Sequence, residues 1–146
     1  MPSTPAEEYI LSLIEDAAKK FKERDAGAIA RLGDLGSHVV SFSDLHTPPI
    51  VLAGAIFQFV ALALSQGETL RTLKPMLTGK IKEEVERLDE VMERVGGELE
   101  KLARSLRKGN LAEAVNACAN LVKATYRYVE VLSLIRRTRP TLSEVG

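Results

Sequence analysis

Apolar residues recur at helical spacing along nearly the whole chain, and no useful stretch alternates with the two-residue period of a strand. A first helix is predicted over residues 5–24. Pro5 suits its first position, Thr4 its cap, and Glu7 and Glu8 the positive helix end. Its buried stripe is Ile10, Leu13, Ile14, Ala17 and Phe21. A second helix, capped by Asp25 and carrying Ile29, Leu32 and Leu35, should end near Val40. The segment SFSDLHTPP then has the Ser, Asp and Pro chemistry of a loop.

A third helix is expected from Pro48 or Pro49 to about Ser65, with Thr47 as cap and Gly67 as stop. Pro75 should then interrupt a short helix in ETLRTLKPML. The fourth is the most regular, over residues 80–108 with Thr78 as its cap. Ile81, Val85, Leu88, Met92, Val95, Leu99, Leu102 and Leu106 alternate steps of four and three, the seam of a coiled coil or long bundle. Gly96-Gly97 inside it marks a kink or a close crossing. Gly109 and Asn110 supply the stop and the next cap. The fifth helix, residues 111–137, continues the spacing through Leu111, Val115, Cys118, Val122, Thr125, Val129 and Leu132. Ala114, Leu121, Tyr128 and Ile135 widen that face, and a two-residue break makes the last two helices an antiparallel hairpin.

The expected fold is therefore all-α: a single domain over residues 1–146, a bundle of five to six helices with a long C-terminal antiparallel hairpin. Residues 140–146 read as a flexible tail. The segment PPIVLAGAIFQFVALALSQG raises a membrane question. Its apolar run, residues 50–64, covers only about 22 Å of helix against the roughly 30 Å of a bilayer core. Asp44 and His46 precede it and Glu68 and Arg71 follow, without aromatic anchors or a basic bias on one side. Buried core is the reading. A helix apolar all round needs cover all round, which puts it near the bundle centre or turns one side toward another subunit.

Charge and composition narrow the functions. Lys plus Arg equals Asp plus Glu at 20 each, so nucleic-acid binding would need a local patch. Two clusters exist: Lys101, Arg104, Arg107 and Lys108, and Arg136, Arg137 and Arg139. They fall at opposite ends of the hairpin, and dipole complement or solubility explains each more simply than phosphate binding. The single cysteine, Cys118, excludes an internal disulfide and fits a reducing, cytoplasmic setting. The first residues lack a secretory pattern. Two Gln and three Asn among abundant Glu, Lys and Arg are the bias of hyperthermophile proteins.

No nucleotide-binding or nucleophile-elbow motif occurs. Asp34, His38, Asp44 and His46 could contribute zinc ligands, but their spacing matches no established site. Cys118, among alanines and Leu121, reads as a buried small hydrophobe. No cofactor or catalytic residue is assigned. LRKGNLAEAVNACANLV resembles one tetratricopeptide unit, without a second copy at a period of about 34 residues. SDLHTPPIVLAGAIFQFVALALS, the charged heptad helix and KGNLAEA together resemble small all-helical proteins of archaea; the resemblance implies a helical bundle and no particular activity. The functional expectation is a non-enzymatic, self-associating interaction protein, a homo-oligomer and foremost a dimer, with a protein partner as a further option and no membrane role. The alternative is a nucleic-acid-binding accessory using the basic clusters.

Overall fold

The computed structural model describes the backbone of residues 5–25, 27–41, 48–72, 74–76 and 78–137. Within these, the side chains of 48, 66–72, 74, 80, 81, 84, 85, 87, 88, 127, 131, 132 and 134–137 are outside the description. The described residues contain five helices and no strand: α1 (Pro5–Lys22), α2 (Ala28–Ser41), α3 (Pro48–Thr72), α4 (Gly79–Lys108) and α5 (Leu111–Arg137). A 3-10 turn, Lys74–Met76, stands before α4. Of the predicted loop, Ser41 belongs to α2 and Pro48 and Pro49 to α3; its remainder, with Asp44, His46 and Thr47, lies outside the described residues, as do Thr4 and the predicted tail.

Local chemistry explains the ends. At the end of α1, Arg24 takes φ 56°. Its amide donates to the Phe21 carbonyl and that of Asp25 to the Lys20 carbonyl. This is the Schellman pattern, with an arginine where glycine is usual. It closes α1 at Lys22, two residues short of the expectation. Asp25 then accepts the Gly27 amide at 2.7 Å and leads into α2. The same pattern ends α4: Gly109 has φ 71°, its amide donates to Leu106 and that of Asn110 to Ser105. Asn110 Oδ1 accepts the Glu113 amide at 3.1 Å and caps α5.

Two expected ends differ. α3 passes through Gly67 to Thr72. A glycine costs a helix only about 1 kcal/mol unless it turns left-handed. α3 ends three residues ahead of Pro75, which lacks the amide to continue the helix and whose ring crowds the turn before it. Thr78 is extended at the start of α4, but its hydroxyl makes no capping bond.

The helices run alternately up and down. Arg31 pairs with Asp16, folding α2 back along α1. α2 and α3 cross antiparallel with Gly36 against Gly54 and Gln58: a Cβ on Gly36 would lie 2.9 Å from the Gly54 carbonyl oxygen. α4 lies antiparallel to α1, with Arg107 bonded to Glu8 and Glu15 at one end and Arg24 to Glu93 at the other. A Cβ on Gly96 would stand 2.9 Å from the Ala18 carbonyl oxygen, whereas one on Gly97 would meet nothing within 4 Å. The glycine pair thus marks a close crossing, made by Gly96 alone. α5 packs on α4 and α3.

One contiguous core joins all five helices. Met92, Val95, Leu99 and Leu102 of the α4 seam are buried in it, and Leu106 packs at its edge. The seam residues Ile81, Val85 and Leu88 have side chains outside the description.

The buried face of α5 is rotated from the expected one. Ala114, Ala117, Cys118, Leu121, Ala124, Thr125 and Tyr128 are buried, while Leu111, Val115 and Val129 are exposed. Both sets keep a three-four spacing, so spacing alone does not choose between them. The small side chains let α5 lie close to α4, and packing density favours that choice.

α3 is not central. It packs on α2 through one flank and α5 through the other, and among the described residues its outer side is left exposed at Leu52, Phe59 and Leu62. α1 and α2 have only 18 and 14 residues and are already packed on α4 and on α3. Among the described residues, no helix is long and apolar enough to cross a membrane.

Candidate interaction surface

Between Pro48 and Ser65 the chain carries no charged residue. Helical phase divides this segment into three sides. Gly54, Gln58 and Ala61 meet α2, since Gly36, Ser37 and Gly33 are their neighbours. Ala53, Phe57, Val60 and Leu64 are buried in the core. Leu52, Ala55, Phe59 and Leu62 face outward, with relative exposures of 46% for Leu52, 42% for Phe59 and 65% for Leu62.

α5 continues this apolar surface. On one flank its Asn120 Nδ2 donates to Glu98 at 3.2 Å, so α4 lies on that flank. α3 takes the other flank, beside Cys118 and Thr125. The same flank carries Val115, Val122, Tyr126 and Val129 outward, and three of these are exposed: Val115, Tyr126 and Val129. α3 and α5 run in the same direction. The buried Tyr128 hydroxyl, bonded to the Leu64 carbonyl at 3.4 Å, fixes their register.

The basic cluster at the end of α4 is engaged within the chain. Arg107 is a fork between Glu15, at 2.6 Å, and Glu8. These bonds, that to Glu15 first, push its already high pKa further up. Lys101 pairs with Glu98 at 3.5 Å and Arg104 with Glu100 at 3.4 Å. Glu100 also accepts from Lys22, which lowers its pKa. Lys108 is exposed. Arg136 and Arg137 end α5, far along the helix from the Gly109 turn; their side chains, and Arg139 entirely, lie outside the described residues.

Other candidate chemistry is dispersed. Asp34 and His38 share a side of α2 and line a cleft of about 180 Å³ with Tyr9, Asp16 and Arg31. Among the described residues no three His, Cys, Asp or Glu side chains are placed so that they could hold a metal ion. Cys118 is buried, and desolvation pushes its thiol up to about 11. A polar groove of about 280 Å³ between α4 and α5 holds Glu98, Ser105, Asn116 and Asn120. Glu98, like Ser105 one heptad later, is a polar residue on the buried side of α4 beside its apolar seam. Its position one residue before Leu99 was the only hint of it in the sequence.

Comparison of the chain with family models, with curated proteins and with solved structures gave no match.

Proposed function

We propose that the protein is a non-enzymatic helical interaction module that self-associates as a dimer through the outer side of α3. The observation carrying this is that Leu52, Phe59 and Leu62 are exposed on a helix with no charge between residues 48 and 65. Leaving such a strip in water is unfavourable by roughly 25 cal/mol per Å² of apolar surface. A two-fold contact is the commonest way to remove it. The α4 seam, by contrast, is spent inside the chain where its side chains are described. The cations Lys101, Arg104 and Arg107 already face carboxylates, which supports an apolar contact over a phosphate-binding one. A single buried thiol fits a reducing compartment such as the cytoplasm. The ion pairs joining α1 to α4, with few Asn and Gln, support a source that grows hot.

Light scattering tests the reading. The native protein should have the mass of two chains at micromolar concentration, and Leu62→Glu should halve it while circular dichroism stays helical. A native protein with the mass of one chain at high micromolar concentration would overturn the proposal.

A further inference from the structure

We infer that the partner on this surface is a second copy bound antiparallel about a two-fold axis, α3 against α3 and α5 against α5. The inference rests on the self-association proposed above and adds its geometry.

The first argument is area. Leu52, Phe59, Leu62, Val115, Tyr126 and Val129 together leave roughly 600 Å² exposed, at about 200 Å² for each large side chain. Ala55, Ala119 and the half-buried Ile56, Ala63 and Val122 lie among them. That approaches the ~800 Å² per partner of a standard stable interface. α3 alone supplies about half of it, so an arrangement that also covers α5 is favoured.

The second argument is self-complementarity. In an isologous contact, residue i meets j and j meets i. The outward positions of α3 are 52, 55, 59 and 62, spaced three, four and three. That spacing reads the same from either end, with residue 57 at its centre. An antiparallel two-fold there sets Leu52 against the partner's Leu62 and Ala55 against the partner's Phe59. The second pairing puts a large side chain opposite a small one, as interdigitated packing requires.

The third argument is that the same axis serves α5. The Tyr128 hydroxyl reaches the Leu64 carbonyl, which sets the two helices level here to within about one turn. Seven residues earlier on each parallel helix, Leu121 lies within about a turn of the level of Phe57. The exposed valines of α5, Val115 and Val129, lie on either side of Val122 at equal distance in sequence. An axis crossing both helices near residues 57 and 122 therefore faces Val122 with its own copy and Val115 with the partner's Val129. A parallel arrangement, with its axis along α3, would instead set this flank opposite α2. The exposed positions of α2 nearest α3 are Ser37, which bonds Gln58, with Val40 and Ser41, a side more polar than the valine flank of α5.

Disulfide trapping decides the geometry. Leu52→Cys and Leu62→Cys are made singly and together, with the native chain as the blank for buried Cys118. Positions 52 and 62 are about 15 Å apart along one helix, too far for a bridge within a chain. Under mild oxidation the double variant should run as a covalent dimer on a non-reducing gel, and neither single variant should. Val122→Cys alone should also give a covalent dimer. Light scattering and circular dichroism on the reduced variants show that dimer and helix persist. Covalent dimers from Leu52→Cys or Leu62→Cys alone would overturn the antiparallel geometry. So would a double variant that is dimeric in solution but never bridged, and either result would leave self-association standing. A monomeric native protein would overturn both proposals together.

Discussion

Gly96 and Gly97 are adjacent, have the same intrinsic cost in a helix, and should respond in opposite directions to the same substitution. Gly97→Ala adds a methyl group that meets nothing within 4 Å, so it gains helix propensity, about 1 kcal/mol, without a clash. Gly96→Ala has the same gain. However, its Cβ would stand 2.9 Å from the Ala18 carbonyl oxygen and 3.1 Å from the Lys22 amide nitrogen, both backbone atoms of α1. Neither can rotate away, so α1 must move off α4, and overpacking of this kind costs about 1–3 kcal/mol. Retreat of α1 would also loosen the Lys22–Glu100 and Arg24–Glu93 pairs beside the crossing. The net expectation is a gain of up to ~1 kcal/mol for Gly97→Ala. For Gly96→Ala it is a loss of roughly 0–2 kcal/mol. The difference between the two variants, roughly 1–3 kcal/mol, is free of the shared propensity effect. Urea unfolding followed by circular dichroism measures it, and a domain of this size should show each kcal/mol as about 3 °C in melting temperature. Two variants stabilised equally would refute the close crossing of α1 on α4.

Cys118 should label slowly with a thiol reagent in the native state and quickly after unfolding, because burial raises its pKa from 9.0 to about 11. A raised pKa means the unfolded chain loses the proton first. Stability should therefore fall between pH 9.0 and about 11 relative to Cys118→Ala, and parallel pH profiles for the two proteins would contradict this. Arg107→Ala should lower stability by about 1 kcal/mol, an effect that 1 M salt diminishes, since the fork to Glu15 and Glu8 is near the surface; a salt-independent loss would point to packing instead. Leu99→Glu buries a charge in the α4 seam and should abolish the cooperative fold, whereas Leu62→Glu should leave a melting curve within ~1 kcal/mol of the native monomer. Equal tolerance of both would contradict the assignment of inner and outer faces.

Much of the fold was legible along the chain because it is set by nearest-neighbour physics. The α4 seam repeats over several heptads, and only a helix brings such positions onto one side. Gly109 and Asn110 stop one helix and cap the next with bonds that span five residues or fewer. Asp25 likewise acts on an amide two residues away. The exclusion of a membrane span came from the short apolar run of residues 50–64 and from its flanks.

What the tertiary structure decided is which of several equivalent local solutions was used. On α5, the valine flank and the alanine-rich flank carry the same three-four spacing. The valines are more apolar, but the alanines permit the closer approach to α4, and close packing between helices outweighs the hydrophobicity of either flank by itself. For the same reason Gly96 and Gly97 are indistinguishable in sequence and differ only in what α1 places beside them. Arg107 reads as one of a basic cluster until α1 brings Glu8 and Glu15 to it from more than 90 residues away. The apolar third helix demanded cover on every side, but how many neighbours reach it depends on where two shorter helices pack. They pack on α4 and on one flank of α3, and the outward strip of Leu52, Phe59 and Leu62 is the consequence.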